Sequence, residues 1–93
     1  MRPFRGYCKK IELSKHALEE IDRRGISADI VESVLQKPQQ IVDEYGNKRA
    51  YQSIMNIGEK DYLVRVIVNH SVEPAKVVTI YRTSKISKYW RPQ

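Results

Sequence analysis

A chain of 93 residues holds one domain and leaves no room for two. With 41% hydrophobic and 30% charged residues its composition is that of a folded globular protein rather than a disordered one. Seventeen Lys and Arg against eleven Asp and Glu give a net charge of +6, a balance that suits polyanionic partners, nucleic acid first among them, and that solubility alone explains equally well.

The single cysteine, Cys8, excludes an internal disulfide and a cysteine-based zinc site. No apolar run within residues 1–13 suits a signal peptide, and no stretch is long enough to span a bilayer, so a cytoplasmic protein without a membrane partner is expected.

In chain order, the first expected element is a short strand over residues 10–13. Ser14 then stands at an N-cap position ahead of a helix whose apolar face is Ala17, Leu18 and Ile21, with Leu13 and Leu18 spaced as a hydrophobic staple. Arg23 and Arg24 suit the negative end of the helix dipole and Gly25 the stop. The same grammar repeats at once. Ser27 caps a second helix, Ile26 and Val31 form its staple, Ile30, Val31, Val34 and Leu35 its apolar face, and Pro38 forbids its continuation. Two short helices joined around Gly25 predict an αα-hairpin.

Beyond Pro38 the period changes from helical to two. Strands are predicted over residues 40–45, 49–56, 62–69 and 76–83, with tight turns at Gly46-Asn47 and over residues 58–61. The fold class is therefore α+β, an N-terminal αα-hairpin on a four-stranded antiparallel sheet, in a single domain with a core over residues 10–83 and a basic, aromatic tail over 84–93. Val64, Val66 and Val68 share one side of their strand and are expected under the helices. In the last strand Val78 and Ile80 are expected together, leaving Arg65, Thr79 and Tyr81 on a half-exposed opposite face. Arg49, Tyr51 and Ser53 share a side whose direction the sequence leaves open.

These residues carry a resemblance. His16-Ala17-Leu18-Glu19 with Arg24-Gly25-Ile26, then Val34-Leu35 and Pro38, then Tyr51, Arg65 and the closing run Val78 to Thr83, resemble a small bacterial domain-of-unknown-function family grouped with BrnT-like and RelE-like toxins of toxin–antitoxin modules. The resemblance covers about residues 10–83. It implies the microbial ribonuclease-like toxin fold, RNA cleavage without a metal or other cofactor, and a neutralising antitoxin as partner besides RNA.

Metal-free RNA cleavage needs a base for the 2′-hydroxyl proton, cations for the charge on the phosphorane, and an acid for the leaving oxygen. His16 is the expected acid–base. It lies in the first turn of its helix, where the dipole favours neutral imidazole, and on the polar flank beside Glu19, Glu20 and Arg23. Arg65 is the expected phosphate holder, with Thr79 and Tyr81 orienting or donating, and Arg49, Tyr51 and Arg82 as further RNA contacts. Lys85, Lys88 and Trp90 in the tail combine cations with a stacking surface suited to single-stranded RNA, although Trp90 fits equally well packed on the sheet. His70 reads as a turn residue, and two histidines without cysteines make a poor metal site. Two other classes of function fit the same residues: a non-catalytic module that binds RNA or protein, and a toxin that blocks an enzyme such as gyrase.

Overall fold

The computed structural model describes residues 11–92. Residue 10 of the expected first strand, Cys8 and the stretch inspected for a signal peptide up to residue 10 lie outside the described residues. The element order is β1 (Ile11–Leu13), α1 (Lys15–Arg24), α2 (Ala28–Gln36), β2 (Gln40–Asp43), β3 (Lys48–Ile57), β4 (Lys60–Asn69), β5 (Ala75–Thr83) and α3 (Ile86–Tyr89). The class is α+β.

The sheet order is β1-β5-β4-β3-β2, so β1 and β2 occupy opposite edges and the α1–α2 segment carries the chain from one edge to the other. β2 to β5 return as antiparallel neighbours, and β5 closes against β1 in parallel, Ile11 beside Ala75 and Leu13 beside Val77. The expected four-stranded antiparallel sheet is thus corrected to five strands of mixed direction. A pairing between chain segments so far apart leaves no local signal of its direction in the sequence.

Both N-terminal helices begin and end as their residues dictate. Ser14 Oγ accepts from Ala17 N–H at 3.1 Å and Ser27 Oγ from Ile30 N–H at 3.2 Å, each relieving a helix-start donor that would otherwise lack a partner. Gly25 adopts φ +66°, the left-handed stop in which Ile26 N–H reaches back to Ile21 O at 3.1 Å. The helices pack principally on the sheet, α1 over β5 and β1 and α2 over β3 and β4, rather than on each other as an αα-hairpin. The inward stripe of α1 is Ala17, Glu20 and Ile21. Leu18, one residue and so about 100° round from Ala17, is 56% exposed, which corrects the expected Leu13–Leu18 staple. Ile26 and Val31, the second staple pair, are both buried.

Under the helices lies the core: Val64, Val66 and Val68 of β4, Tyr51 of β3, Val77 and Ile80 of β5, and Ala17, Ile26, Val31, Val34 and Leu35. The valine side of β4 is the one the alternation predicts. In β5 the register shifts: Val68 pairs with Val77 but Ile67 with Thr79, leaving Val78 as the extra residue of a bulge. Val77 therefore joins Ile80 on the helix side, where a regular strand would have put Val78. On the opposite face Thr79 and Tyr81 are half-buried, whereas Arg65 is closed off. Ala50, Gln52, Leu63 and Ile67 are buried there too, and the segment containing α3, expected as a tail, folds back over Gln52, Arg65 and Tyr81.

Candidate functional site

The register sets one polar residue per strand side by side on that reverse face: Gln40 of β2, Gln52 of β3, Arg65 of β4 and Tyr81 of β5. They form a single hydrogen-bonded row. Gln52 Nε2 donates to Gln40 Oε1 at 2.8 Å, and Arg65 Nε donates to Gln52 Oε1 at 2.8 Å, Nη1 to Tyr81 Oη at 2.6 Å and Nη2 to Glu44 Oε2 at 2.6 Å. Arg65 is 2% exposed, and the ring of Tyr89 lies against its guanidinium, 4.5 Å from Cζ to the ring centre. Burial alone would lower the Arg65 pKa, but the hydrogen bonds and charge attraction of Glu44 and Tyr81 outweigh it and hold the group above its usual range. Burial raises the Tyr81 phenol, and the neighbouring guanidinium only partly offsets this.

Arg65 and Tyr81 thus spend their polar groups on the protein. The expected phosphate holder is the hub of an internal network, closed from solvent by Tyr89. Thr79 shares the face, paired with Ile67.

His16 lies elsewhere. It is on α1, in the layer on the other side of the sheet, with its side chain 61% exposed and Nε2 3.7 Å from Glu20 Oε2. Glu20 is fully buried and is also held by Arg23 and Arg24. The expected catalytic set of His16, Arg65, Thr79 and Tyr81 is therefore divided between two faces and cannot converge on one phosphate. Arg49 and Tyr51, with Tyr51 in the core, take the helix side rather than joining Arg65. Arg82 pairs with Val64 on that side too, and its Cζ lies 4.6 Å from the Tyr62 ring centre. Lys85 and Lys88 are exposed, with Lys88 Nζ 5.4 Å from the Tyr89 ring centre, and Trp90 is half-buried.

A different set does converge. Arg49 and Tyr51 on β3 and Val66 and Val68 on β4 share the helix side, and His70, two residues beyond Val68, continues it. Tyr51 Oη lies 3.0 Å from His70 Nε2, and the two rings are near-parallel at 21° with centres 5.9 Å apart. His70 N–H donates to Asn47 O at 3.2 Å, which ties the β4–β5 loop to the β2–β3 turn. Asn69 Oδ1 accepts from Ser71 N–H at 2.9 Å and Oγ at 2.7 Å and shapes that loop. Between turn and loop lies a cleft of about 460 Å³ lined by Asp43, Gly46, Asn47, Arg49, His70 and Ser71, with Arg49 Nε 3.7 Å from Asp43 Oδ1. The cleft sets the His70 imidazole and the exposed Arg49 guanidinium in one lining, and the buried Tyr51 phenol, outside that lining, touches the imidazole. A guanidinium and an imidazole so placed are the equipment of proton transfer beside a bound anion.

His70 is the functional candidate that reading it as a turn residue missed. The signal for it was the two-residue turn at Gly58-Glu59. Once that turn sets the β3–β4 register, Asn47 falls opposite His70, and His70 falls on the side of Tyr51.

Among the described residues no group of three or more His, Cys, Asp and Glu is gathered closely enough to hold a metal ion, and no helix is long and apolar enough to cross a membrane. No curated protein and no solved structure is matched by the chain. Residues 13–82, from the end of β1 to the penultimate residue of β5, match the model described as Domain of unknown function (DUF4258), and the chain belongs to that family of small uncharacterised domains.

Proposed function

We propose that this domain is a toxin-type endoribonuclease that cleaves RNA without a metal, and that the cleft lined by Arg49 and His70, with the buried Tyr51 phenol against His70, is where it does so. The observation that carries this reading is the 3.0 Å contact of Tyr51 Oη with His70 Nε2 beside the exposed guanidinium of Arg49. In this scheme the His70 imidazole takes the proton of a ribose 2′-hydroxyl. The 2′-oxygen attacks phosphorus, the bond to the 5′-oxygen breaks, and the imidazolium returns the proton to that oxygen. The products are a 2′,3′-cyclic phosphate and a 5′-hydroxyl. Arg49 pairs with the non-bridging oxygens, where charge develops in the transition state, and Tyr51 fixes the plane and tautomer of the imidazole. The net charge of +6 draws RNA to the surface.

A relation to BrnT-like and RelE-like toxins, with a neutralising antitoxin as partner, belongs to the same reading. His16 lies outside the cleft and takes no part in the proton transfers.

The test is cleavage of a defined RNA by the purified chain in excess chelator, with the new ends identified chemically. Cyclic-phosphate ends are expected, and His70→Ala is expected to slow their formation by about 10²-fold or more, the usual contribution of a positioned acid–base. Undiminished cleavage by a folded His70→Ala chain would remove the mechanism. RNA that binds in a salt-dependent way and stays intact would instead make the domain a binding module.

A further inference from the structure

The segment following β5 is held on the reverse face in the manner of a bound peptide. Its backbone is read at two places. Gln40 Nε2 donates to Arg91 O at 2.5 Å while Gln40 Oε1 accepts from Arg91 N–H at 3.2 Å, and Gln52 Nε2 donates to Tyr89 O at 3.3 Å. One side chain is read as well: the Tyr89 ring stacks on the Arg65 guanidinium and meets Tyr81 edge-on, with ring centres 6.2 Å apart. A side-chain amide that takes both the N–H and the C=O of one residue recognises extended backbone whatever its sequence, while the stacked ring selects an aromatic two positions earlier.

The receiving residues are built beforehand by the sheet. Gln40, Gln52, Arg65 and Tyr81 are consecutive in one cross-strand row and hydrogen-bonded to one another, and Glu44 fixes the far side of Arg65. The stretch that matches the family ends at residue 82. The row and Glu44 lie within that stretch, and residues 86–91 lie beyond it.

We infer that the reverse face of this domain is a peptide-docking surface, filled in cis by residues 86–91, and that its occupant in trans is the same segment of a second copy of the chain. The second copy carries the same ring and the same backbone spacing by identity. The joint is short: Ser84 separates β5 from Lys85, whose N–H donates to Thr83 Oγ1 at 3.0 Å. In cis the segment competes at an effective concentration on the order of mM, so the wild-type chain is closed to an incoming copy until the cis contact is weakened.

The experiment uses the full chain and a fluorescent peptide of residues 85–93. Tyr89→Ala removes the cis ring and leaves the row intact. Arg91→Pro removes the N–H that Gln40 accepts, together with the Arg91 side chain and the freedom of φ at that position, and serves should the first substitution disturb folding, with the melting profile of each variant measured alongside. The peptide is expected to bind the variants at least about tenfold more tightly than the wild-type chain, by anisotropy, since the competitor in cis has been weakened. Adding Gln40→Ala is expected to abolish that gain. A folded variant that binds the peptide no better than wild type, or a gain that survives Gln40→Ala, would overturn the inference.

Discussion

Arg65 illustrates how one side chain is assigned opposite jobs by its surroundings. A guanidinium on a strand next to valines is what an RNA-binding face requires, but here its Nε, Nη1 and Nη2 are taken by Gln52, Tyr81 and Glu44, and Tyr89 covers its face. Removing a buried charge strands its partners. Arg65→Met should therefore lower the unfolding free energy by about 3 kcal/mol in a urea titration, through unpaired Glu44 and Gln52, and Arg65→Lys should recover little because an ammonium cannot present the same fork. A substitution that changes stability by less than the usual surface value would show the row to be incidental.

Tyr81 carries a second consequence. Its folded-state pKa is raised above 10, chiefly by burial, so the folded state holds the phenolic proton longer than the unfolded chain does. The contribution is complete below the ordinary phenol range near 10 and is lost as pH climbs through the raised value. Tyr81→Phe should unfold more easily at neutral pH, because Arg65 Nη1 loses its acceptor, and should show a shallower loss of stability above about pH 10 than the parent. Equal alkaline slopes would place the titration elsewhere. The oddity of Arg65 on an apolar strand was legible in the sequence. Its burial was not, because the covering ring comes from Tyr89, in a basic aromatic tail whose composition suits RNA stacking and packing on the sheet equally well.

The elements written in local chemistry were the readable ones. Ser14, Ser27, Gly25 and Pro38 mark where α1 and α2 start and stop, and the change to period two after Pro38 announces the strands. What escaped depends on pairing. The bulge at Val78 has no signature in a run of β-branched residues, yet it decides that Val77 rather than Val78 meets the core. The parallel direction of β1 is set only when β5 arrives beside it.

The β3–β4 hairpin combines both kinds of information. Ile57 pairs with Lys60, and the two loop residues, Gly58 at φ +61° and Glu59 at φ +69°, take the left-handed region at both positions, as a type I′ turn requires. Glycine meets that demand at no steric cost and glutamate does not. Glu59→Gly is therefore expected to stabilise the domain by roughly 0.5–1 kcal/mol in chemical denaturation. A loss of stability would mean that the Glu59 side chain contributes more than its backbone strain costs.

For the whole molecule, the sheet is a partition. On its helix side it supports the core and, at the end where the β2–β3 turn meets the β4–β5 loop, a polar cleft. On the reverse side it holds a closed hydrogen-bonded row under the C-terminal segment. The residues singled out from sequence, His16, Arg49, Tyr51, Arg65, Thr79 and Tyr81, are all chemically able, but the partition allows only those on one face to act together. Arg49 and Tyr51 gain His70, and His16 stays with Glu20, Arg23 and Arg24 on α1. Side-chain chemistry was legible in the sequence. Convergence was not, because strand register places Arg49 and Tyr51 opposite Val68 and Val66 and so away from Arg65.

The most direct test is therefore a side-by-side comparison of His70→Ala and His16→Ala, both folded, in single-turnover RNA cleavage with excess chelator. The account predicts that His70→Ala loses about 10²-fold or more and that His16→Ala cleaves at close to the parent rate. Loss of cleavage in His16→Ala with His70→Ala intact would contradict it and move the chemistry to the first helix.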